Sequence, residues 1–136
     1  MLKTEFFRLH LKTSDKIKVL DVKIQSDDEY VKRFSVLVDG EKIELAGDTE
    51  SFFMKFFEKF GGKYEIHSCF TCRHGNFCPI GDCDNEIFCV KDFEPKGKSD
   101  LYFVTEDSAE RQKRSRTLFD VCEDFKPCCD DYYTYK

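Results

Sequence analysis

The chain contains no tryptophan, only three prolines and no apolar run of the roughly 18 residues that a membrane span needs. Its first residues carry charges at Lys3, Glu5 and Arg8, so the apolar segment of a signal peptide is missing as well. Basic residues are outnumbered, with 22 Lys and Arg against 27 Asp and Glu and a net charge of -5. We therefore expect a cytoplasmic protein that binds neither membranes nor nucleic acids, since phosphate groups are bound through clustered Lys and Arg.

Apolar residues are plentiful: they make up 40% of the chain and include 15 phenylalanines, which is enough for one sizeable core. No internal repeat or low-complexity linker divides the sequence. We expect a single α+β domain that spans residues 1–136.

Strands are predicted for most of the first half, where apolar and polar residues alternate with the period of two that half-buried strands show. The alternation is clearest around Leu9, Val22 and Val36. The dipeptide Asp39-Gly40 then predicts a tight turn between two neighbouring strands. Together, these segments predict an antiparallel meander with one buried face.

A helix is predicted after Gly47, where phenylalanines recur at the spacing of one helical face. They are Phe53, Phe56, Phe57 and Phe60. Asp48 or Thr49 can cap the start of this helix, and Gly61-Gly62 can end it. We expect its apolar face to pack against the sheet.

The second half mixes short apolar runs with a longer helical pattern. Residues 87–90 and 101–104 each predict a short strand, and a helix is expected between Asp107 and Pro127. Its core face would carry Leu118, Val121, Cys122 and Phe125. We therefore predict an α+β fold, in which an antiparallel sheet of about five to seven strands packs with two main helices and a cysteine-rich loop occupies residues 69–89.

Eight cysteines are unusual in a chain expected to be cytoplasmic, because thiols stay reduced there and need a role other than disulfide bonding. Cys69 and Cys72 form a C-x-x-C pair, which can place two thiolates on one ion from a single turn. His67 and His74 flank the pair and could be ligands, although we interpret each of them as a surface histidine because no catalytic partner pattern accompanies them. Free thiols and a redox pair remain alternatives, although the pair does not precede a helical pattern as low-pKa redox cysteines do.

Two sets of cysteines can complete a tetrahedral zinc site around Cys69 and Cys72. The local set adds Cys78 and Cys83, which costs little loop-closure entropy. The long-range set adds Cys89 and one cysteine of the C-terminal segment: Cys122, Cys128 or Cys129.

The long-range set coincides with a four-part pattern in the second half of the chain. Its parts are the Cys69/Cys72 pair, the loop Pro79-Ile80-Gly81, Cys89 and the acidic segment Cys129-Asp130-Asp131-Tyr132. This pattern resembles an uncharacterised family of small Firmicutes proteins, which has a strand cysteine at the position of Cys89. The resemblance implies the long-range zinc set and no known activity.

The resemblance leaves a choice for the last ligand, because Cys122-Glu123-Asp124-Phe125 fits the final acidic segment as well as the segment at Cys129 does. Cys122, however, lies on the apolar face of the predicted helix. We therefore predict one structural zinc ion bound by Cys69, Cys72, Cys89 and Cys129. Cys122 is then a buried core thiol, Cys78 and Cys83 are free, and the polar residues beyond Cys129 fray unless the metal holds them.

No segment carries a recognisable catalytic base, nucleophile or phosphate-binding loop. We therefore predict a non-enzymatic protein-binding module, of the immunity or inhibitor kind, whose acidic surface binds a basic protein. The alternative is a thiol- or metal-dependent enzyme that uses Cys69 and Cys72.

Overall fold

A computed structural model describes residues 2–27, 32–79 and 84–136. They form two compact units, Met1–Ile66 and His67–Lys136. The predicted α+β class is confirmed, and the described residues contain a five-stranded antiparallel sheet, a three-stranded sheet and three helices. None of these helices is long and apolar enough to span a membrane. That the chain behaves as one domain stays a prediction.

The first unit is built on a curled antiparallel meander. Its strands are β1 (Lys3–Thr13), β2 (Lys16–Ser26), β3 (Lys32–Val38), β4 (Glu41–Ala46) and β5 (Glu65–Ile66), in the spatial order β4-β3-β2-β1-β5. Asp39 and Gly40 both have positive φ, at 52° and 84°, which is the backbone of a tight hairpin turn. The turn predicted from Asp39-Gly40 is therefore confirmed.

Helix α1 (Thr49–Phe60) closes the core of the first unit. The Asp48 carboxylate accepts a hydrogen bond from the Ser51 amide at 2.7 Å, which caps the first turn. Phe52 of this helix stacks on Phe34 of β3 with their ring centroids 5.2 Å apart. The predicted packing of the helix on the sheet is thus confirmed, although Phe52 takes the buried position expected for Phe57, which is half-buried.

A cluster of charges fastens the β3–β4 turn to the residues that follow α1. The Asp39 carboxylate accepts hydrogen bonds from Lys63 at 2.7 Å, from the Tyr64 hydroxyl at 2.7 Å and from Lys18 at 3.0 Å. These donors hold the pKa of Asp39 well below its usual value. The turn is therefore tied by side chains as well as by backbone pairing.

The second unit has short elements. They are β6 (Gly75–Asn76), β7 (Ile87–Cys89), α2 (Lys98–Glu106), α3 (Ser108–Arg114) and β8 (Ser115–Arg116), with the sheet order β6-β7-β8. The core consists of Ile87, Phe88, Val90, Leu101, Leu118 and Phe119. The strand predicted at 87–90 is confirmed, and Asp107 caps α3 by accepting from the amides of Ala109 and Glu110.

Two predicted elements of the second unit are wrong. The run 101–104 lies in helix α2 rather than in a strand, because Leu101 and Thr105 are buried four residues apart on one helical face. The predicted helix to residue 125 ends at Arg114. Beyond it, Thr117 and Asp120 bond to each other's amides through their side chains, and such local bonds compete with a helix.

Candidate metal centre

A small cavity in the second unit is lined by four cysteines that come from three separate segments. Cys69 and Cys72 lie in one turn, Cys89 ends β7, and Cys122 follows β8. The other lining residues are Ser68, His74, Gly75, Lys91, Val121 and Phe125. The cavity volume is about 10 Å³, which is the space of a single water-sized sphere.

The turn that carries the C-x-x-C pair is held by local and long-range hydrogen bonds. Ser68 and Thr71 close it, because the Thr71 hydroxyl pairs with both the amide and the carbonyl of Ser68 at 3.1 Å. The Cys69 amide donates to the Asp120 carbonyl at 2.6 Å. This bond joins the turn to the segment that contains Cys122, two residues further along the chain.

Gly75 lets the strand of Cys89 approach the turn. It pairs with Cys89 in the β6–β7 ladder, and its α-carbon lies against the Cys69 backbone. A side chain at this position would clash with the Cys69 carbonyl oxygen and would come within 3.0 Å of Ile87. Only glycine fits, because it alone has no Cβ.

Arg114 holds the backbone at Cys89 through hydrogen bonds. Its guanidinium is buried and donates to the Cys89 carbonyl at 3.1 Å, to both carboxylate oxygens of Asp92 at 2.5 and 2.9 Å, and to Glu110 at 3.1 Å. This charge lowers the pKa of Asp92 to about 2, chiefly through the hydrogen bonds from Arg114. The planar fork of an arginine thus joins α3 to the end of β7.

The thiols of the cavity influence one another. The pKa of Cys69 is raised to about 12, chiefly by burial and in smaller part by the charge of Asp120 and by the neighbouring thiols of Cys89, Cys72 and Cys122. In the absence of a metal, Cys69 is therefore protonated at neutral pH, and a protonated thiol is a poor nucleophile.

Two side-chain polar atoms at the cavity have no hydrogen-bond partner among the described residues. The Ser68 Oγ and His74 Nδ1 atoms are buried, and no described atom hydrogen-bonds to either of them. Both residues line the cavity. Buried polar atoms are normally hydrogen-bonded, so each of these atoms is an exception among the described residues.

Three of the four predicted zinc ligands meet at this cavity, and the fourth does not. Cys69, Cys72 and Cys89 line it, whereas Cys129 is exposed in the C-terminal segment and is not among the lining residues. Cys122 lies where Cys129 was expected. The prediction that Cys122 is a buried core thiol on a helix is wrong, because the helix ends before it and its side chain is exposed.

The remaining described cysteines lie elsewhere. Cys78 is half-buried and does not line the cavity, and Cys83 falls outside the described residues. The Cys128 thiol is 3.5 Å from the Thr71 carbonyl oxygen, to which it donates. Across residues 2–27, 32–79 and 84–136, no three His, Cys, Asp or Glu side chains converge as they would around a bound ion.

The C-terminal segment is fastened to the residues that follow the C-x-x-C pair. The Tyr135 amide donates to the buried side chain of Asn76 at 2.7 Å, and the Phe77 amide donates to the Tyr135 carbonyl at 2.8 Å. Lys136 donates to the Cys72 carbonyl at 2.6 Å. The expectation that this segment frays beyond Cys129 unless a metal holds it stays a prediction, and the backbone of Tyr135 is paired on both sides in the structure.

One sequence signal pointed to Cys122: the acidic and aromatic residues after it repeat the pattern found after Cys129. The predicted helix outweighed this signal, because a cysteine on an apolar helical face has an ordinary role in a core.

Comparison of the chain with known protein families, with curated proteins and with solved structures finds no match. The resemblance to a Firmicutes family therefore stays a prediction.

Proposed function

We propose that this protein is a non-enzymatic, protein-binding module whose second unit is held together by one structural zinc ion. The observation that carries the zinc proposal is the shared cavity: four cysteines from three segments surround a space that fits a single ion. Four thiolates form a common structural zinc site, and soft sulfur ligands favour zinc over calcium or magnesium.

The proposed ligands are Cys69, Cys72, Cys89 and Cys122. Cys122 replaces Cys129 in the set predicted from the sequence, because only Cys122 lines the cavity. Since the thiols do not converge without an ion, binding would draw them inward by rotation about their Cα–Cβ bonds. Cys122 is exposed and lies in a turn, so its side chain has the freedom to make this movement.

Zinc would also supply partners for the two unpaired polar atoms of the cavity. A zinc-bound cysteine is a thiolate, and a thiolate sulfur accepts hydrogen bonds. The Ser68 hydroxyl can donate to such a sulfur, and so can the His74 ring when Nδ1 carries its proton. Outer hydrogen bonds of this kind orient metal ligands.

The second unit is built of short elements, which a structural metal would stabilise. Its three strands are only two or three residues long, and its helices α2 and α3 are short. Elements of this length form few backbone hydrogen bonds, and small units of this kind often need a metal or disulfides. Metal binding would therefore contribute directly to folding.

The catalytic alternative fits the cavity less well. A thiol- or metal-dependent enzyme using Cys69 and Cys72 needs room for a substrate beside the sulfur atoms, and the cavity has room for one ion. A closed set of four thiolates also leaves no open position on the metal. We therefore retain the protein-binding role, in the cytoplasm, with a basic partner.

The test is metal analysis of protein purified without added zinc. We expect about one zinc per chain in the wild type, loss of zinc in Cys122→Ser and retention in the matched variants Cys129→Ser and Cys78→Ser. Cobalt substitution checks the number of thiolates by their charge-transfer absorption. Zinc lost from Cys129→Ser and kept in Cys122→Ser would refute the proposed set, and metal-free wild type would refute the zinc site altogether.

A further inference from the structure

An open groove lies beside the edge strand of the first unit, between β4 and helix α1. We call it the β4–α1 groove. It is lined by Leu45, Asp48, Glu50, Ser51, Met54, Lys55, Phe57 and Glu58. The sheet order places β4 at the end of the sheet, so that its outer side borders the groove.

The backbone on the outer side of β4 offers hydrogen bonds. Strand pairing joins Val38 to Glu41 across the turn, and the Gly47 amide donates to the Lys32 carbonyl at 2.9 Å. Because residues alternate along an antiparallel ladder, Lys42, Glu44 and Ala46 point their amides and carbonyls outward. Of these groups, the Glu44 carbonyl accepts from the Lys55 ammonium at 3.0 Å, and no other described residue hydrogen-bonds to them.

Apolar side chains form the floor of the groove beside this edge. Met54 is 56% exposed although it sits on a helix that otherwise closes the core. Leu45 and Phe57, which also line the groove, are half-buried. Methionine is flexible and polarisable and is common at surfaces that bind partners.

Acidic residues predominate at the rim of the groove. Asp48, Glu50 and Glu58 line it together with a single cation, Lys55. The first of these carboxylates caps α1, whereas Glu50 and Glu58 are exposed on the helix surface. The groove thus offers unpaired backbone, an apolar floor and net negative charge.

We propose that the β4–α1 groove binds an extended segment of a basic protein, which adds to the sheet as a strand beside β4. An exposed strand edge binds peptides in this way: main-chain hydrogen bonds supply affinity, and alternate side chains supply specificity. An apolar side chain of the segment would rest on Met54, and flanking Lys or Arg residues would face Glu50 and Glu58. This inference rests on the proposed protein-binding role and names its surface and partner chemistry.

Lys55 has a specific part in this binding. Its ammonium donates a hydrogen bond to the Glu44 carbonyl. An amide of the added strand would donate to the same carbonyl. Binding therefore displaces Lys55, and Lys55→Met should bind basic segments more tightly than the wild type. Removing one cation from an acidic rim acts in the same direction.

The experiment uses the full chain and a set of synthetic nine-residue peptides. Each peptide has a central Leu or Phe, flanked by Lys and Arg in one series and by Asp and Glu in the other. Binding is measured by fluorescence anisotropy, and the binding surface is mapped by amide chemical-shift changes. We expect the basic series to bind, with shifts at residues 42–46 and 50–58, and the acidic series not to bind.

Variants of peptide and protein test the mode of binding. N-methylation of alternate peptide amides should weaken binding by roughly two- to tenfold for each hydrogen bond removed. Glu44→Pro removes an outward amide at an edge position that tolerates proline, and Met54→Asp places a charge on the floor. Both should weaken binding at least tenfold. The control Leu37→Asp, which changes an exposed residue of β3, should leave it unchanged.

Four results would overturn this inference. Three of them are no binding by either peptide series, an affinity that N-methylation leaves unchanged, and chemical-shift changes that map away from the β4–α1 groove. The fourth is pairing of β4 with a second copy of the chain, seen as a dimer that Glu44→Pro abolishes. Shifts that map elsewhere would leave the protein-binding role intact. Zinc content, measured on the same samples, keeps the two proposals apart. Loaded zinc without peptide binding refutes the groove alone, and peptide binding by a zinc-free chain refutes the metal site alone.

Discussion

Replacement of Phe56 by alanine is the sharpest test of how α1 holds the first unit together. The Phe56 side chain is fully buried, and its ring lies 5.3 Å from that of Phe60. A buried aromatic ring removes about 150 to 250 Å² from water, and at about 25 cal/mol per Å² this corresponds to about 4 to 6 kcal/mol. Because neighbouring side chains partly refill the space, Phe56→Ala should lower the free energy of unfolding by about 3 to 5 kcal/mol.

The matched control is Met54→Ala on the same helix. Met54 is 56% exposed, so its replacement should change the free energy of unfolding by only about 0.5 kcal/mol. Urea denaturation followed by circular dichroism measures both variants, and hydrogen exchange with mass spectrometry shows whether the loss of protection falls within Met1–Ile66. Equal midpoints for the two variants would refute the packing described for this helix face.

The remaining predictions concern the second unit. Gly75→Ala should lower the zinc content and the unfolding midpoint, whereas Gly97→Ala, with open space at its Cβ, should change neither. Equal effects of the two variants would show that the Cys69 backbone does not lie close against Gly75. Because Arg114 lowers the pKa of Asp92 to about 2, from about 3.9 in an unfolded chain, the ion pair stabilises the fold above about pH 4 and this contribution is lost as the pH falls towards 2. The urea midpoint of Asp92→Asn should therefore change less with pH over this range than that of the wild type, and parallel curves would refute the role of the pair. Deletion of residues 134–136 should speed amide exchange at Phe77, whose partner is a carbonyl of that segment, and unchanged exchange would contradict the pairing.

Local patterns in the sequence account for the first unit. Strict alternation determines which side chains of β1 to β4 face the core, because side chains point to opposite faces with a period of two. Asp39-Gly40 determines the turn through its positive φ angles. The spacing of the phenylalanines predicts α1 and most of its buried face, but Phe52 rather than Phe57 is buried, where it stacks on Phe34 of β3. Neighbours in the chain therefore carry most of the information for this unit.

The second unit depended on distant contacts that no local pattern contains. Leu118 was assigned to a helix because apolar residues follow it at helical spacing, yet β8 pairs with β7 and the Thr117–Asp120 turn stops the helix. Because the chain is not helical at this point, Cys122 lies at the cavity that Cys69 and Cys89 also line. The sequence by itself determined that Cys69 and Cys72 form a C-x-x-C pair, and it left open whether Cys89 or the local Cys78 and Cys83 lie beside that pair. Only the tertiary structure places Cys122 rather than Cys129 at this cavity, because the Cys69–Asp120 hydrogen bond joins the turn to the segment that contains Cys122.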